Sequence, residues 1–256
     1  MKVSLFVTCL VDQLFPEVGE SVVKLLRRVG IEVEFPREQT CCGQPALNSG
    51  FMAHAKPLAR RWLDLFEESQ YVVVPSGSCA AMLKVSVPEM FRQEAGLYER
   101  AQALAGRTYE LSQFLVNVLR VQDLGARFPG KVTYHPSCHL LRELGAATEA
   151  QTLIRGVRGI QFVPLDNPDR CCGFGGTFSV KYPSLSGAIL EEKLRAIEAT
   201  GADVVVACDS GCLMHIAGGM RRRGMKVEAM HLAQILAQTA PAEGAPAEPK
   251  DGAGAG

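Results

Sequence analysis

The sequence predicts an α/β protein made of two homologous halves, each a small, mainly parallel sheet flanked by helices. Segments typical of strands and helices alternate along the chain, as in proteins that layer helices on a parallel sheet. A set of cysteines also repeats at a nearly constant offset of 129 to 133 residues, which indicates a duplication. Cys9, Cys41, Cys42 and Cys79 recur as Cys138, Cys171, Cys172 and Cys212.

The strands are predicted from short apolar runs that precede loops. In chain order they lie at residues 2–8, 31–35, 71–74, 131–135, 161–165 and 203–207. The runs at 71–74 and 203–207 are nearly continuous and β-branched, which is typical of strands buried on both faces of a parallel sheet. Helices are predicted from Pro16 onward and at residues 50–68, 111–115, 184–200 and 232–236.

Four cysteines lie just past the ends of predicted strands, namely Cys9, Cys79, Cys138 and Cys212. In open parallel sheets, functional groups gather at the carboxyl ends of the strands. We therefore expect cysteines that are distant in sequence to converge on one edge of each half.

The predicted boundary between the halves lies near Gly125–Gly130. It gives one cysteine-rich domain at residues 1–125 and a second at 126–238. The segment 239–256 is rich in Ala, Pro, Gly and Glu and lacks apolar periodicity. Such a composition predicts a disordered tail.

Charge and hydropathy exclude several classes of partner. Lys plus Arg and Asp plus Glu are equal at 27 each, so nothing in the net charge favours nucleic acid. No apolar run approaches the roughly 20 residues that a membrane-spanning helix needs. The N-terminal residues lack the pattern of a cleaved signal peptide. A cytoplasmic location is expected.

The nine cysteines indicate a metal site. Disulfides are rare in a reducing compartment, and an odd number cannot pair completely. Iron–sulfur clusters are held by thiolates, and two adjacent cysteines suit a multi-iron cluster better than one tetrahedral ion. Gly43 and Gly173, which follow the adjacent pairs, allow a positive φ and a close approach of the backbone to a cluster. These two glycines are therefore predicted to contact the cofactor.

Other interpretations of these residues stay open. Structural zinc usually shows two closely spaced pairs of ligands, a pattern that only Cys208 and Cys212 approach. Inert buried thiols are a further alternative, because free cysteine packs as a small hydrophobe. His135 and His139 flank Cys138, and each is either a ligand, a proton relay or an ordinary core or capping residue. His215 follows Cys212 by three residues, the spacing of one helix face, and is either directed at the site or an ordinary helix residue.

Three segments resemble known motifs in order along the chain, at residues 40–46, 171–178 and 209–213. The arrangement resembles the cysteine-rich CCG domain, present twice, as in the cysteine-rich subunit of heterodisulfide reductase. More narrowly, it is similar to the LutA/YkgE family of lactate-utilisation proteins, over residues 1–238. The family pattern ends in Cys-x-x-Cys, but here Ser76 and Asp209 stand three residues before the last cysteine of each half.

The resemblance implies cluster ligation by the cysteines of both halves. Five cysteines per repeat hold a noncubane four-iron cluster in heterodisulfide reductase, whereas four are enough for an ordinary 4Fe–4S cluster. One or two clusters are expected, of the 4Fe–4S type. The predicted ligands are Cys9, Cys41, Cys42, Cys79, Cys138, Cys171, Cys172, Cys208 and Cys212.

What the resemblance implies about function is electron transfer within a multiprotein oxidoreductase of the L-lactate dehydrogenase type. The chain would lack complete activity alone and would act with a ferredoxin-like iron–sulfur protein and a further Lut-type protein. The sequence shows no motif for a flavin or nicotinamide cofactor. Two alternatives remain, a thiol or disulfide reductase subunit and a non-enzymatic scaffold stabilised by metal.

Overall fold

The computed structural model describes residues 1–146 and 148–239. These residues form two four-stranded parallel sheets flanked by helices, one sheet from each half of the chain. The predicted fold class is thereby confirmed. The prediction of a disordered tail falls, apart from Thr239, on residues that lie outside the described ones.

The two sheets have the same strand order, β2-β1-β3-β4 and β6-β5-β7-β8. The first sheet consists of β1 (Lys2–Leu5), β2 (Glu32–Glu34), β3 (Val72–Val74) and β4 (Thr108–Glu110). The second consists of β5 (Arg127–His135), β6 (Arg158–Phe162), β7 (Val204–Ala207) and β8 (Glu228–His231). The duplication seen in the cysteines therefore extends to the topology. The predicted domain boundary at residue 125 lies between the two sheets and stays a prediction.

Helices connect the parallel strands in both halves. The first half contains α1 (Cys9–Leu14), α2 (Pro16–Arg28), α3 (Gln44–Asn48), α4 (Met52–Phe66), α5 (Gly77–Ala81), α6 (Val87–Met90), α7 (Ala95–Gly106) and α8 (Leu111–Gln113), with π-helical turns at Met82–Ser86 and Phe114–Val118. The second half contains α9 (Cys138–Arg142), α10 (Glu149–Arg155), α11 (Thr177–Lys181), α12 (Pro183–Thr200), α13 (Ser210–Arg222) and α14 (Leu232–Ala237). Among the described helices, none has the length and apolar character to cross a membrane.

The structure differs from the sequence prediction at several strands, including β1, which already ends at Leu5, and β5, which begins earlier, at Arg127. β4 and β8 are absent from the predicted set, because both are short and include polar residues such as Glu110 and Glu228. The strand predicted at 161–165 instead covers Arg158–Phe162. It ends before Pro164, which has no backbone N–H to continue the ladder.

The two halves share a hydrophobic core. Leu25 and Leu26 of α2 lie in the same buried cluster as Ile235 and Leu236 of α14. At the edge of this contact, the guanidinium of Arg28 donates hydrogen bonds to the carbonyl oxygens of Leu236 and Ala237, at 3.1 and 2.7 Å. The packing of α2 against α14 therefore fixes one half relative to the other.

Candidate metal centre

Four cysteines lie in the first turn of a helix that closely follows a strand. Cys9 and Cys138 are the first residues of α1 and α9, and Cys79 and Cys212 lie in the first turns of α5 and α13. A polar side chain caps each helix by accepting a hydrogen bond from a backbone N–H of that turn. The caps are Thr8, Ser76, Ser137 and Asp209. Because the strands are parallel, these four cysteines lie at the carboxyl edges of the sheets.

The two Cys-Cys-Gly tripeptides have nearly the same backbone conformation at their glycines. Gly43 has a φ of +89° and Gly173 a φ of +91°, in the left-handed region that favours glycine. The backbone N–H of each glycine donates a hydrogen bond to the first cysteine of its own tripeptide. The distances are 3.4 Å to Sγ of Cys41 and 3.2 Å to Sγ of Cys171. The left-handed turn thus directs an amide dipole at a thiol in each half.

The first cysteine group consists of Cys9, Cys41, Cys42 and Cys79. The Sγ atoms of Cys9 and Cys41 are 3.8 Å apart, and those of Cys42 and Cys79 are 3.4 Å apart. Cys42 and Cys79 are buried, whereas Cys9 and Cys41 are partly exposed. Three separate segments of the chain therefore deliver four thiols to one place.

The second cysteine group consists of Cys138, Cys171, Cys172 and Cys212. Cys171 has hydrogen-bond contacts with both Cys138 and Cys172. The thiols of Cys172 and Cys212 lie within 4.8 Å of each other and of a ring nitrogen of His135. As in the first group, two cysteines are buried and two are partly exposed. The structure thus brings eight of the nine predicted ligands into two groups of four.

Contacts among the thiols favour one thiolate in each group. In the first group, hydrogen bonds from Cys42 and Cys9 lower the pKa of Cys41 to about 2. In the second group, the equivalent contacts lower the pKa of Cys171 to about 2. The same contacts raise the pKa of Cys9 and Cys42 in the first group and of Cys138 and Cys172 in the second. Each group thus holds one thiolate, the form that binds metals, beside thiols that would release their protons when a metal binds.

Both cysteine groups line one cavity of about 200 Å³. Pro45 and Phe174, which follow the two tripeptides, contribute apolar walls. Ser49 and Thr177 meet at 3.0 Å between their hydroxyl oxygens and join segments of the two halves. The two candidate sites therefore share one cavity.

Asp209 connects the halves beside this cavity. Its Oδ2 accepts hydrogen bonds from the hydroxyl of Ser76 at 3.0 Å and from the backbone N–H of Ser78 at 2.9 Å. Its Oδ1 accepts from the backbone N–H of Gly211 at 3.1 Å within its own half. One carboxylate thus caps α13 and also binds the start of α5.

Cys208 is the predicted ligand that the structure places apart from the others. Its side chain is completely buried in the core shared by the two halves, and it does not line the cavity. Its Sγ lies 3.6 Å from the hydroxyl oxygen of Tyr134. The displacement by one residue from the Cys-x-x-Cys pattern directs this thiol into the core.

The eight remaining thiols fit the requirements of iron–sulfur clusters. Four thiolates complete the protein ligation of a 4Fe–4S cluster, and each group supplies four. Gly43 and Gly173 add backbone N–H donors to ligand sulfurs, as is typical of such sites. A Cβ on Gly173 would lie only 2.6 Å from the backbone oxygen of Ser186, so the tripeptide is closely fitted to α12.

The histidines near the cysteines occupy different environments. His139 lines the cavity, with Nδ1 3.7 Å from Sγ of Cys138. His215 contacts the hydroxyl of Ser186 at 3.2 Å through Nε2 and does not line the cavity.

Lys193, which is buried, was not predicted from the sequence as a site residue. The sequence signal for its burial is its position next to Leu194 on the apolar face of a helix.

The fold and the two cysteine groups define a protein built from two cysteine-rich domains. The family model for the cysteine-rich domain, CCG, matches residues 3–84 and 132–217, once in each half. Over 236 residues the chain is 50% identical to lactate utilization protein A of Bacillus licheniformis, covering 92% of this chain and 99% of that protein. It is 51% identical to lactate utilization protein A of Geobacillus thermodenitrificans, over 92% of this chain and 98% of that protein. The chain belongs to the family of these duplicated cysteine-rich proteins.

A solved structure shares the fold. It is that of a hypothetical protein from Helicobacter pylori, with a TM-score of 0.65 and 10% sequence identity. The match covers 92% of this chain and 48% of that chain. The similarity extends over both halves and concerns the fold alone.

Proposed function

We propose that this chain is an iron–sulfur electron-transfer subunit of a multiprotein oxidoreductase that oxidises L-lactate to pyruvate. The observation that carries the proposal is the pair of four-thiol groups on one cavity. The similarity to proteins named lactate utilization protein A supports lactate utilisation as the process.

The proposed ligands divide equally between the halves. They are Cys9, Cys41, Cys42 and Cys79 in the first half, and Cys138, Cys171, Cys172 and Cys212 in the second. Cys208 is not included, because its thiol contacts Tyr134 in the core. Gly43 and Gly173 keep their amide N–H groups on ligand sulfurs.

A bound 4Fe–4S cluster accepts and releases single electrons. Oxidation of lactate to pyruvate releases two electrons and two protons, so two one-electron sites match its stoichiometry. Pro45 and Phe174 place apolar side chains beside the two groups. The partly exposed Cys9 and Cys171 leave each site near the surface, where a redox partner can approach.

Partners are required because electrons must be delivered and removed by other proteins. We propose a ferredoxin-like iron–sulfur protein and a further Lut-type protein as the other subunits. The complex is placed in the cytoplasm, where all nine cysteines can stay reduced.

The direct test is quantitation of iron and acid-labile sulfide in anaerobically purified protein, together with EPR. Two 4Fe–4S clusters require about eight iron and eight sulfide per chain. The variants Cys41→Ser and Cys171→Ser should each lose about half of this content. Colourless protein without iron after anaerobic reconstitution, or zinc without sulfide, would contradict the proposal.

The shared cavity supports a second candidate, a thiol or disulfide reductase subunit. A small disulfide that enters the cavity would meet both cysteine groups. Turnover of small disulfides with a reduced dye tests this candidate, and inactivity of cluster-loaded protein counts against it. A purely structural role for the metal predicts instead that Cys41→Ser unfolds the first half, which circular dichroism would show.

A further inference from the structure

The two cysteine groups differ in the residue that lies three positions before their first cysteine. In the first half this residue is Phe6, and in the second half it is His135. Phe6 is buried in the cluster that contains Cys42, and its ring packs against Phe66 with centroids 5.7 Å apart. The first group therefore has an apolar aromatic neighbour at this position.

His135 provides a different environment for the second group. Its side chain is only 1% exposed, and a ring nitrogen lies within 4.8 Å of the thiols of Cys172 and Cys212. Neither ring nitrogen has a hydrogen-bond partner among the described residues. A buried polar atom without a partner is costly, so its presence calls for an acceptor at this place. The sulfur atoms of a cluster in the second group are acceptors of the right kind.

Lys193 is a second difference between the groups. Cβ positions built on the two tripeptide glycines contact equivalent residues, Ala55 for Gly43 and Ser186 for Gly173. Trp62 of α4 lies seven residues after Ala55, and Lys193 of α12 lies seven residues after Ser186, so the two occupy equivalent positions. Lys193 is 2% exposed, and Trp62 is 3% exposed. A buried cationic side chain thus replaces a neutral aromatic ring.

The ammonium of Lys193 has few compensating contacts in the protein. Its Nζ lies 3.5 and 3.4 Å from the carbonyl oxygens of Asn167 and Pro168, which are long for hydrogen bonds. Burial lowers the pKa of Lys193, while the negative charges of Cys172 and Cys171 raise it. The second cysteine group, together with Asp169, therefore compensates part of the buried charge.

We propose that the second group holds the cluster of higher reduction potential, because His135 donates a hydrogen bond to a cluster or ligand sulfur and Lys193 adds a positive charge. The inference rests on the proposed function. Hydrogen bonds to sulfur and nearby positive charge stabilise the reduced cluster, which carries one more negative charge. In the same places the first group has Phe6, which offers no hydrogen-bond donor, and Trp62, which is neutral, although its indole N–H has no partner among the described residues. One electron that enters at the first group therefore moves to the second.

The test is an EPR-monitored redox titration of the anaerobically purified full chain. Wild-type protein should show two midpoint potentials. His135→Phe introduces the residue that the first half has at this position, and it should lower only the higher potential. The expected fall is at least about 59 mV, which is a tenfold change in the equilibrium constant of a one-electron reduction. Phe6→His should raise only the lower one. His54→Phe is the matched control, because His54 is exposed on α4 and should change neither potential.

Two results would overturn this inference. One is a higher potential that stays unchanged in both His135→Phe and Lys193→Met. The other is loss of the second cluster from folded His135→Phe protein, since that would make His135 a ligand. If His135→Phe does not fold, the other two variants test the inference. Lys193→Met should lower the higher potential, and Phe6→His should raise the lower one. Wild-type protein without iron and sulfide would instead reject the proposed function itself.

Discussion

The hydroxyl of Ser76 donates a hydrogen bond of 3.0 Å to Oδ2 of Asp209, and this contact joins the two halves beside both cysteine groups. Ser76 caps the helix that carries Cys79, and Asp209 caps the helix that carries Cys212. Each residue stands three positions before the last cysteine of its half. The two residues are therefore helix caps that bind each other across the interface between the halves.

This contact should contribute measurably to stability. Asp209→Ala removes a cap and leaves the backbone N–H of Ser78 without an acceptor, so we expect a loss of about 2 kcal/mol in the free energy of unfolding. Ser76→Ala should cost about 1 kcal/mol. In a urea-unfolding double-mutant cycle, the two changes should couple by roughly 1 kcal/mol.

Ser69→Ala is the control for this cycle. Ser69 contacts Ser4 by hydroxyl groups at the other end of β3, within the first half. Its effect should add to that of Asp209→Ala within about 0.5 kcal/mol. Equal coupling for both serines would show that the Ser76–Asp209 contact does not hold the halves together.

Much of this architecture is predictable from local sequence. The β-branched runs before Cys79 and Cys212 mark buried parallel strands, and cysteines after strands converge on a sheet edge. The Ser76–Asp209 contact is not predictable in this way. It joins residues 133 positions apart, and it depends on how the halves pack through α2 and α14. The polar surroundings of the second group are not predictable from the sequence either. A lysine in a helix, such as Lys193, is ordinarily exposed, so its burial is not expected.

The two tripeptide glycines should differ in their tolerance of a side chain. Both have a positive φ, which costs an alanine roughly 1 kcal/mol. A Cβ on Gly173 would also lie 2.6 Å from the backbone oxygen of Ser186, whereas the nearest atoms to a Cβ on Gly43 are 3.5 Å away. We expect Gly43→Ala to keep its fold and iron with a small fall in Tm. Gly173→Ala should lose about 3 kcal/mol or more and the iron of the second half.

Thermal unfolding and iron analysis of the two variants, purified in parallel, check this difference. Gly187→Ala is a suitable control, because a Cβ there meets nothing within 4 Å. Similar losses in Gly43→Ala and Gly173→Ala would contradict the close fit of the second tripeptide to α12.

Cys208→Ser should keep the full iron and sulfide content. The thiol of Cys208 lies in the core beside Tyr134 and outside the cavity, so its removal takes away no ligand. Cys212→Ser, four residues later, is the matched comparison and should lose about half of the iron. Iron and sulfide quantitation distinguishes the two variants. A loss of iron in folded Cys208→Ser protein would make Cys208 a ligand after all.

Glu110 should make the stability of the protein depend on pH. It is completely buried and caps α8, where its Oε2 accepts hydrogen bonds from the backbone N–H groups of Ser112 and Gln113 at 2.7 and 3.3 Å. Burial raises the pKa of Glu110 from its ordinary 4.5 to about 7, against the lowering effect of hydrogen bonds from the Ser112 hydroxyl and from these backbone N–H groups. The other ionisable groups that face it are Tyr134, Glu149 and Cys208.

The sign of the effect follows from the protonation of the two states. Between pH 4.5 and 7 the folded protein keeps a proton on Glu110 that the unfolded chain has released, so the free energy of unfolding falls as the pH rises. The fall amounts to about 3 kcal/mol. Glu110→Gln keeps an oxygen for the cap and should remove this fall, in urea unfolding at pH 5 and pH 8. Exposed Glu20→Gln is the control and should keep the wild-type pH dependence. The same fall in Glu110→Gln as in wild type would show that another group is responsible.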